Sequence, residues 1–128
     1  MRTVNKVILI GNITRDPTIK NTDSNKKIAL FTIATNRYYK TAEGEQKSES
    51  EFTNCITWGN LAERCEQFLT KGKLVYAEGR LKTRVIDKED GTKSYKTEVV
   101  VSNIIFLNKK SDFDDLDIED DLIEEDKF

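Results

Sequence analysis

Short stretches of alternating apolar and polar positions, broken by turn residues and interrupted once by a helical period, organise the first 110 residues. Val4 to Asn12 is a β-branched run closed by Gly11-Asn12, and Arg15-Asp16-Pro17 marks the turn that follows, so a first strand is expected there. From Lys27 to Tyr39 the residues alternate, with Phe31, Ile33 and Thr35 on one face and Leu30, Thr32 and Ala34 on the other. Lys40 to Ser50, containing Glu43-Gly44-Glu45, reads as a long hairpin tip. Phe52 to Trp58 then resumes a strand on which Phe52, Asn54, Ile56 and Trp58 share one face. The period changes over Asn60 to Leu69: Leu61, Cys65, Phe68 and Leu69 fall at helical spacing, Asn60 can cap with Glu63 three residues on, and Lys71-Gly72 stops the helix. Leu74 to Arg84 alternates again, Glu89-Asp90-Gly91-Thr92 supplies a hairpin turn, and Tyr95 to Phe106 is a last strand rich in Val and Ile.

The order β-β-β-α-β-β predicts an all-β protein with one short helix. A five-stranded OB-fold barrel meets it, the helix plugging the barrel between the third and fourth strands; alternation alone also permits another small β-barrel. Gly11 and Gly79 lie inside strand patterns, where glycine weakens pairing unless the strand bends or bulges. Phe31, Phe68, Tyr76 and Phe106 stand within apolar patterns and are expected to pack in the core.

Charge divides the chain. Residues 1–110 carry 20 Lys/Arg against 13 Asp/Glu, about +7, whereas residues 111–128 carry one against ten, about −9. The expected organisation is therefore one barrel domain over 1–110 and a disordered acidic C-terminal tail over 111–128. A basic body suits a phosphate backbone, and an acidic run ending on Phe128 suits a solvated arm with an apolar tip. No apolar run approaches the roughly 18 residues of a membrane span, and Met1 to Lys6 lacks the apolar stretch of a signal peptide, so a cytoplasmic location is expected. Cys55 and Cys65 lack metal-ligand spacing and read as buried free thiols. With no histidine, no phosphate-binding glycine loop and no nucleophile elbow, no enzyme, catalytic residue, metal or cofactor is expected.

Tyr38 and Tyr39 sit where the second strand runs into charged residues, and Phe52 and Trp58 have polar neighbours. Exposed aromatics in a basic setting point to base stacking, which tolerates any sequence. By spacing alone, Phe52 and Trp58 could equally be half-buried barrel residues. Lys82 and Arg84 on one side of the Asp90-Gly91 turn, and Lys93 and Lys96 on the other, can line a hairpin with positive charge; solvated strand edges would look the same.

The stretches Val4 to Asn12, Arg15-Asp16-Pro17, Trp58-Gly59-Asn60-Leu61-Ala62-Glu63, Lys71-Gly72 and Val75 to Arg84 closely resemble those of bacterial-type single-stranded DNA-binding proteins, over residues 1 to about 107. The resemblance implies an OB-fold homotetramer that binds and protects single-stranded DNA (ssDNA) without sequence preference in replication, recombination and repair. It also implies an acidic C-terminal tip that recruits replication and repair proteins. Matched residue by residue, it assigns stacking to Tyr39, Phe52 and Trp58, puts Ile86 where a fourth aromatic is usual, and assigns phosphate contacts to Arg2, Lys40, Lys71, Lys82 and Arg84. Asn54 and Asn60 stand where bases are common in relatives, and Thr53 where a histidine near the subunit contact is common. The partner-binding tip maps to Asp126, Lys127 and Phe128, with Lys127 where relatives have proline. The short linker before the acidic run fits a phage or mobile-element version.

Overall fold

The computed structural model describes residues 2–107. Met1 and residues 108–128 lie outside the described residues, and so do the 110/111 boundary, the expected disorder of the acidic tail and the tip residues Asp126, Lys127 and Phe128. The elements are β1 (Val7–Ile13), β2 (Thr18–Asn21), β3 (Lys27–Lys40), β4 (Gln46–Trp58), α1 (Gly59–Phe68), β5 (Leu74–Asp87) and β6 (Lys93–Phe106). β1 pairs with β5 and β3, β3 with β4, β4 with β6 and β6 with β5, which closes a five-stranded barrel. Every pairing is antiparallel except β4 with β6, whose Cys55 and Ile56 run parallel to Val99 and Val100. This is the OB-fold architecture expected from the element order.

Period-two alternation sends one face of each strand inward. Ala29, Phe31 and Ile33 of β3, Cys55 of β4, Val75 and Ala77 of β5, and Val99, Val101 and Ile104 of β6 form the core with Ile13. Removing side chains such as Ile33 or Ile104 from water contributes about 1.5–3 kcal/mol each. Ala62, Cys65 and Leu69 close one side of this core from α1 and the residue after it. The two cysteines are free and buried, and burial pushes the Cys55 thiol up to about 12.

The two strand glycines sit where backbones crowd. A Cβ on Gly11 would lie 2.2 Å from the Ala34 carbonyl oxygen, at the corner where β1 passes from β5 to β3. A Cβ on Gly79 would lie 2.0 Å from the Val100 carbonyl oxygen, beside a bulge: Glu78 pairs with Asn103 but Gly79 with Val101, which leaves Ser102 unpaired. The extra residue lets Val101 and Ile104 both face inward although they stand three apart.

One element was not anticipated, and three expectations are corrected. β2 is an added short strand on the edge of β3; its Thr-Ile-Lys-Asn sequence holds a single apolar residue and gives no alternation to detect. The long polar tip is mostly strand, because β3 and β4 continue as a two-stranded arm to a tip of 41–45. An arm solvated on both faces needs no apolar face, and Arg37 and Glu49 pair across it at 2.8 Å. α1 begins at Gly59 with Trp58 as N-cap and no side-chain cap hydrogen bond, so Asn60 lies inside the first turn and does not cap. Of the four aromatics assigned to packing, Phe31 is buried and Phe106 packs partly against the core. Phe68, at the helix end, is half exposed and Tyr76 points outward.

Candidate nucleic-acid interface

The outer face of β4 carries Phe52, Asn54, Ile56 and Trp58, because Cys55 and Thr57 between them face the core. Phe52 is 64 % and Trp58 46 % exposed, so the structure places both outside the barrel. Opposite them on β3 stand Ala34, Thr32, Leu30 and Ile28. This strip of small and aliphatic side chains leaves both rings standing clear at its ends. Between the rings the Thr32 hydroxyl donates to Asn54 Oδ1 at 3.0 Å, which orients the Asn54 amide. Two flat apolar faces flanking a polar centre are the arrangement on which unpaired bases stack.

The parallel pairing of β4 with β6 joins this strip to the distal hairpin formed by β5 and β6. Ile56 lies beside Val100, Val100 pairs with Arg80, Glu98 with Lys82, Lys96 with Arg84 and Ser94 with Ile86. These residues share the outward alternation, since Val99 and Val101 face inward. Arg80, Lys82, Arg84 and Lys96 thus form a cationic field on the same curved surface as Phe52 and Trp58. Arg80 was not among the candidates read from the sequence, although its spacing of two from Lys82 is the signal that finds it. Lys93 departs from the expected row: it pairs with Asp87 and shares the opposite face with Val85 and Tyr95. Tyr95, 70 % exposed and also missed, alternates out of phase with Lys96 and lies on that second face.

The remaining candidates are spread more widely. Along the β3 and β4 ladder, Tyr38 and Lys40 have the phase of Ala34 and therefore of Phe52, whereas Tyr39 has the opposite phase. The Arg37 guanidinium lies 4.8 Å from the Tyr39 ring centre, and Tyr38 is 75 % exposed. Lys40 ends the arm opposite Gln46. Lys71 belongs to the turn after α1, where its backbone N–H donates to Asp16 Oδ1 at 2.9 Å. Arg2 is exposed in the segment leading to β1, and Asn5 holds that segment against β5 by exchanging two 2.9 Å hydrogen bonds with the Leu81 backbone. Ile86, at the usual fourth aromatic position, lies on the cationic face and is 37 % exposed.

Residues 4–107 match the model of a family described as the single-strand binding protein family. The chain is 39 % identical over 107 residues to a single-stranded DNA-binding protein 3 of Listeria innocua, covering 84 % of this chain and 66 % of the relative. It is 40 % identical over 111 residues to a single-stranded DNA-binding protein of Staphylococcus aureus, covering 87 % and 70 %. Against a Bacillus cereus protein of the same name the identity is 38 % over 108 residues, covering 84 % and 62 %. The match therefore spans about two thirds of these relatives' own length. Among solved structures, a Plasmodium falciparum SSB in complex with ssDNA superposes with a TM-score of 0.77 at 30 % identity, covering 84 % of this chain and 98 % of that one.

Proposed function

The chain belongs to the single-strand binding protein family, and on that footing we propose that it binds single-stranded DNA without sequence preference across the outer face of β3, β4, β6 and β5. Phe52 and Trp58 stack on bases while Lys82, Lys96 and Arg80 meet phosphates, with Tyr38, Tyr39, Lys40, Lys71, Lys93 and Arg2 extending the path. The single observation that carries this reading is the outward presentation of Phe52 and Trp58 on a surface continuous with the cationic hairpin face. Stacking and phosphate contact need no reacting group, so the role is binding and protection of ssDNA during replication, recombination and repair. No described helix is long and apolar enough to cross a membrane, and the protein acts in the cytoplasm where that DNA is exposed.

We further propose that the barrel assembles as a homotetramer. The outer face of β1, β5 and β6 carries a row of Ile10, Tyr76 and Ile105, and Ile8 beside it is also half exposed. Next to that row the Tyr76 hydroxyl donates to Glu78 at 3.1 Å, and Lys6 lies 3.5 Å from the same carboxylate. The bond from Tyr76, followed by those from Asn103 and the charge of Lys6, holds the Glu78 carboxyl below its ordinary range. An apolar row edged by a satisfied polar cluster suits a partner with the same surface. Residues Asp126, Lys127 and Phe128 recruit replication and repair proteins, the aromatic ring entering an apolar pocket rimmed by cations.

Titration with dT oligonucleotides tests the binding reading, because Trp58 is the chain's one tryptophan and reports directly on the proposed site. Quenching of its fluorescence by poly-dT is the expected result; an unchanged signal and no retained DNA at 50 mM salt would remove the reading. Light scattering on the same sample should give about four times the 14.7 kDa chain mass, and a monomer mass would end the tetramer proposal.

A further inference from the structure

We propose that Glu98 attenuates DNA binding from within the binding surface, by holding Arg84 in an intramolecular ion pair that withholds one cation from the phosphate backbone. The inference rests on the reading that this outer face binds ssDNA. Glu98 lies on β6, between β5 and β4, with its side chain outward because Val99 faces the core. Arg84 Nε donates to Glu98 Oε1 at 3.0 Å, and a second guanidinium nitrogen approaches Oε2 at 3.5 Å. The carboxylate is 8 % exposed and the Arg84 side chain 55 %, so the guanidinium covers the acid and keeps its own outer side in water.

The arrangement is unusual for a surface meant to attract a polyanion. Lys82 pairs directly with Glu98 and Lys96 with Arg84, so an acid occupies the middle of a cluster of three bases. The other ion pairs among the described residues, Lys6 with Glu78, Lys27 with Glu66 and Arg37 with Glu49, do not involve this face of the hairpin. A carboxylate almost shut off from water depends on its cation, because leaving it buried and unpaired is costly. The guanidinium contact is preformed and two-pronged, whereas a phosphate on a flexible strand must be ordered before it competes. Arg84 therefore stays with Glu98 when DNA binds, and Lys82 and Lys96 supply the phosphate contacts at this place. Glu98 is a positioning residue that sets how strongly this surface grips DNA, and through that how readily the strand is released.

The test measures dT-oligonucleotide affinity of the full chain by Trp58 fluorescence between 50 and 200 mM KCl. Glu98→Gln keeps the shape and the hydrogen-bonding oxygen but removes the charge, freeing Arg84 for one further phosphate. The slope of log K against log salt should steepen by about 0.7, the value for one added contact to single-stranded DNA. Its affinity gain should accordingly be about 2.5-fold larger at 50 mM than at 200 mM. In the double variant Glu98→Gln with Arg84→Gln the slope should return to that of the parent chain. A second variant keeps the test independent of how Glu98→Gln folds: Glu98→Ala removes the acid together with its hydrogen-bonding oxygens and should steepen the slope by the same amount, while Lys82→Gln lowers it by about 0.7. An unchanged slope in both Glu98→Gln and Glu98→Ala overturns the attenuator. A steeper slope that persists in the double variant overturns Arg84 as the group released. Absence of binding by the parent chain would instead overturn the function on which the inference rests.

Discussion

Phe52 and Trp58, proposed to stack on bases, contribute little to the core, because their rings lie outside the barrel while Cys55 and Thr57 between them fill it. Replacing either by alanine should weaken binding to a dT oligonucleotide by about 1–3 kcal/mol, the usual scale of one stacked base. Chemical denaturation should show stability changed by no more than about 0.5 kcal/mol for Phe52→Ala, and lowered by about 1–2 kcal/mol for Trp58→Ala, whose side chain is more than half covered. A binding-neutral variant that unfolds early would place that ring in the packing instead. Cys55 is the opposite case. Its folded thiol titrates near 12 against an ordinary 9.0, so the native state holds a proton that the unfolded chain gives up first. The contribution is complete below pH 9 and declines as pH climbs toward 12, and denaturation midpoints measured across that window should fall. A thiol reagent at pH 8 should leave native Cys55 unmodified and label it once denaturant is added. These contrasts were readable in the alternation of residues 52–58, but only as two possible phases. Which phase faced inward depended on the helix and opposing strands that cover Cys55.

At the scale of elements, the distal hairpin owes its two faces to one bulge. Ser102 drops out of the ladder, and the chain beyond it keeps Val101 and Val99 inward while Lys82, Arg84 and Lys96 remain outward. Gly79 makes this possible through close backbone approach. A Gly79→Ala variant must move the Val100 carbonyl, and overpacking of this kind costs about 1–3 kcal/mol. Its denaturation midpoint should drop accordingly, and ssDNA binding should weaken as well, since the cationic face is displaced; full binding with lost stability would separate the hairpin from the site. Sequence periodicity anticipated the hairpin and its Asp90-Gly91 turn, and it anticipated the glycine's structural role. It misplaced Lys93, although a spacing of three from Lys96 already puts the two on opposite faces of a strand; only the register shows that Lys96 is the one sharing the face of Lys82 and Arg84. It also shortened the arm of β3 and β4, since alternation of polar with polar residues leaves no signature.

On the scale of the whole chain, a body of about +7 and a C-terminal segment of about −9 belong to one molecule. Residues 111–128 carry the kind of charge that phosphate would otherwise supply to the basic body. Deleting them should tighten ssDNA binding at 50 mM salt. The gain should shrink toward 200 mM as the Debye length falls, and an affinity difference that ignores salt would refute the electrostatic origin. Such competition would act alongside Glu98, the tail screening the whole surface and the buried acid removing one cation from it.

The chain's own sequence determined what is local. Period-two alternation chose which residues of β3, β4 and β6 oppose one another across the strand, because successive Cβ atoms must point to opposite faces. Helical spacing set α1, the turn residues set its neighbours, and the run of motifs from Val4 to Arg84 was enough to signal the family. What required the tertiary structure were contacts between residues far apart in the chain. The parallel pairing of Ile56 with Val100 brings the aromatic strip against the cationic hairpin, and neither segment encodes that adjacency alone. Tyr76 and Phe68 look like core residues in sequence and lie at the surface because barrel closure left their faces uncovered. Glu98 reads as an ordinary strand acid until β5 folds beside it and covers it with Arg84. Backbone sterics act over a few residues and can be read from a string, whereas charge and exposure depend on what closure of the barrel places alongside.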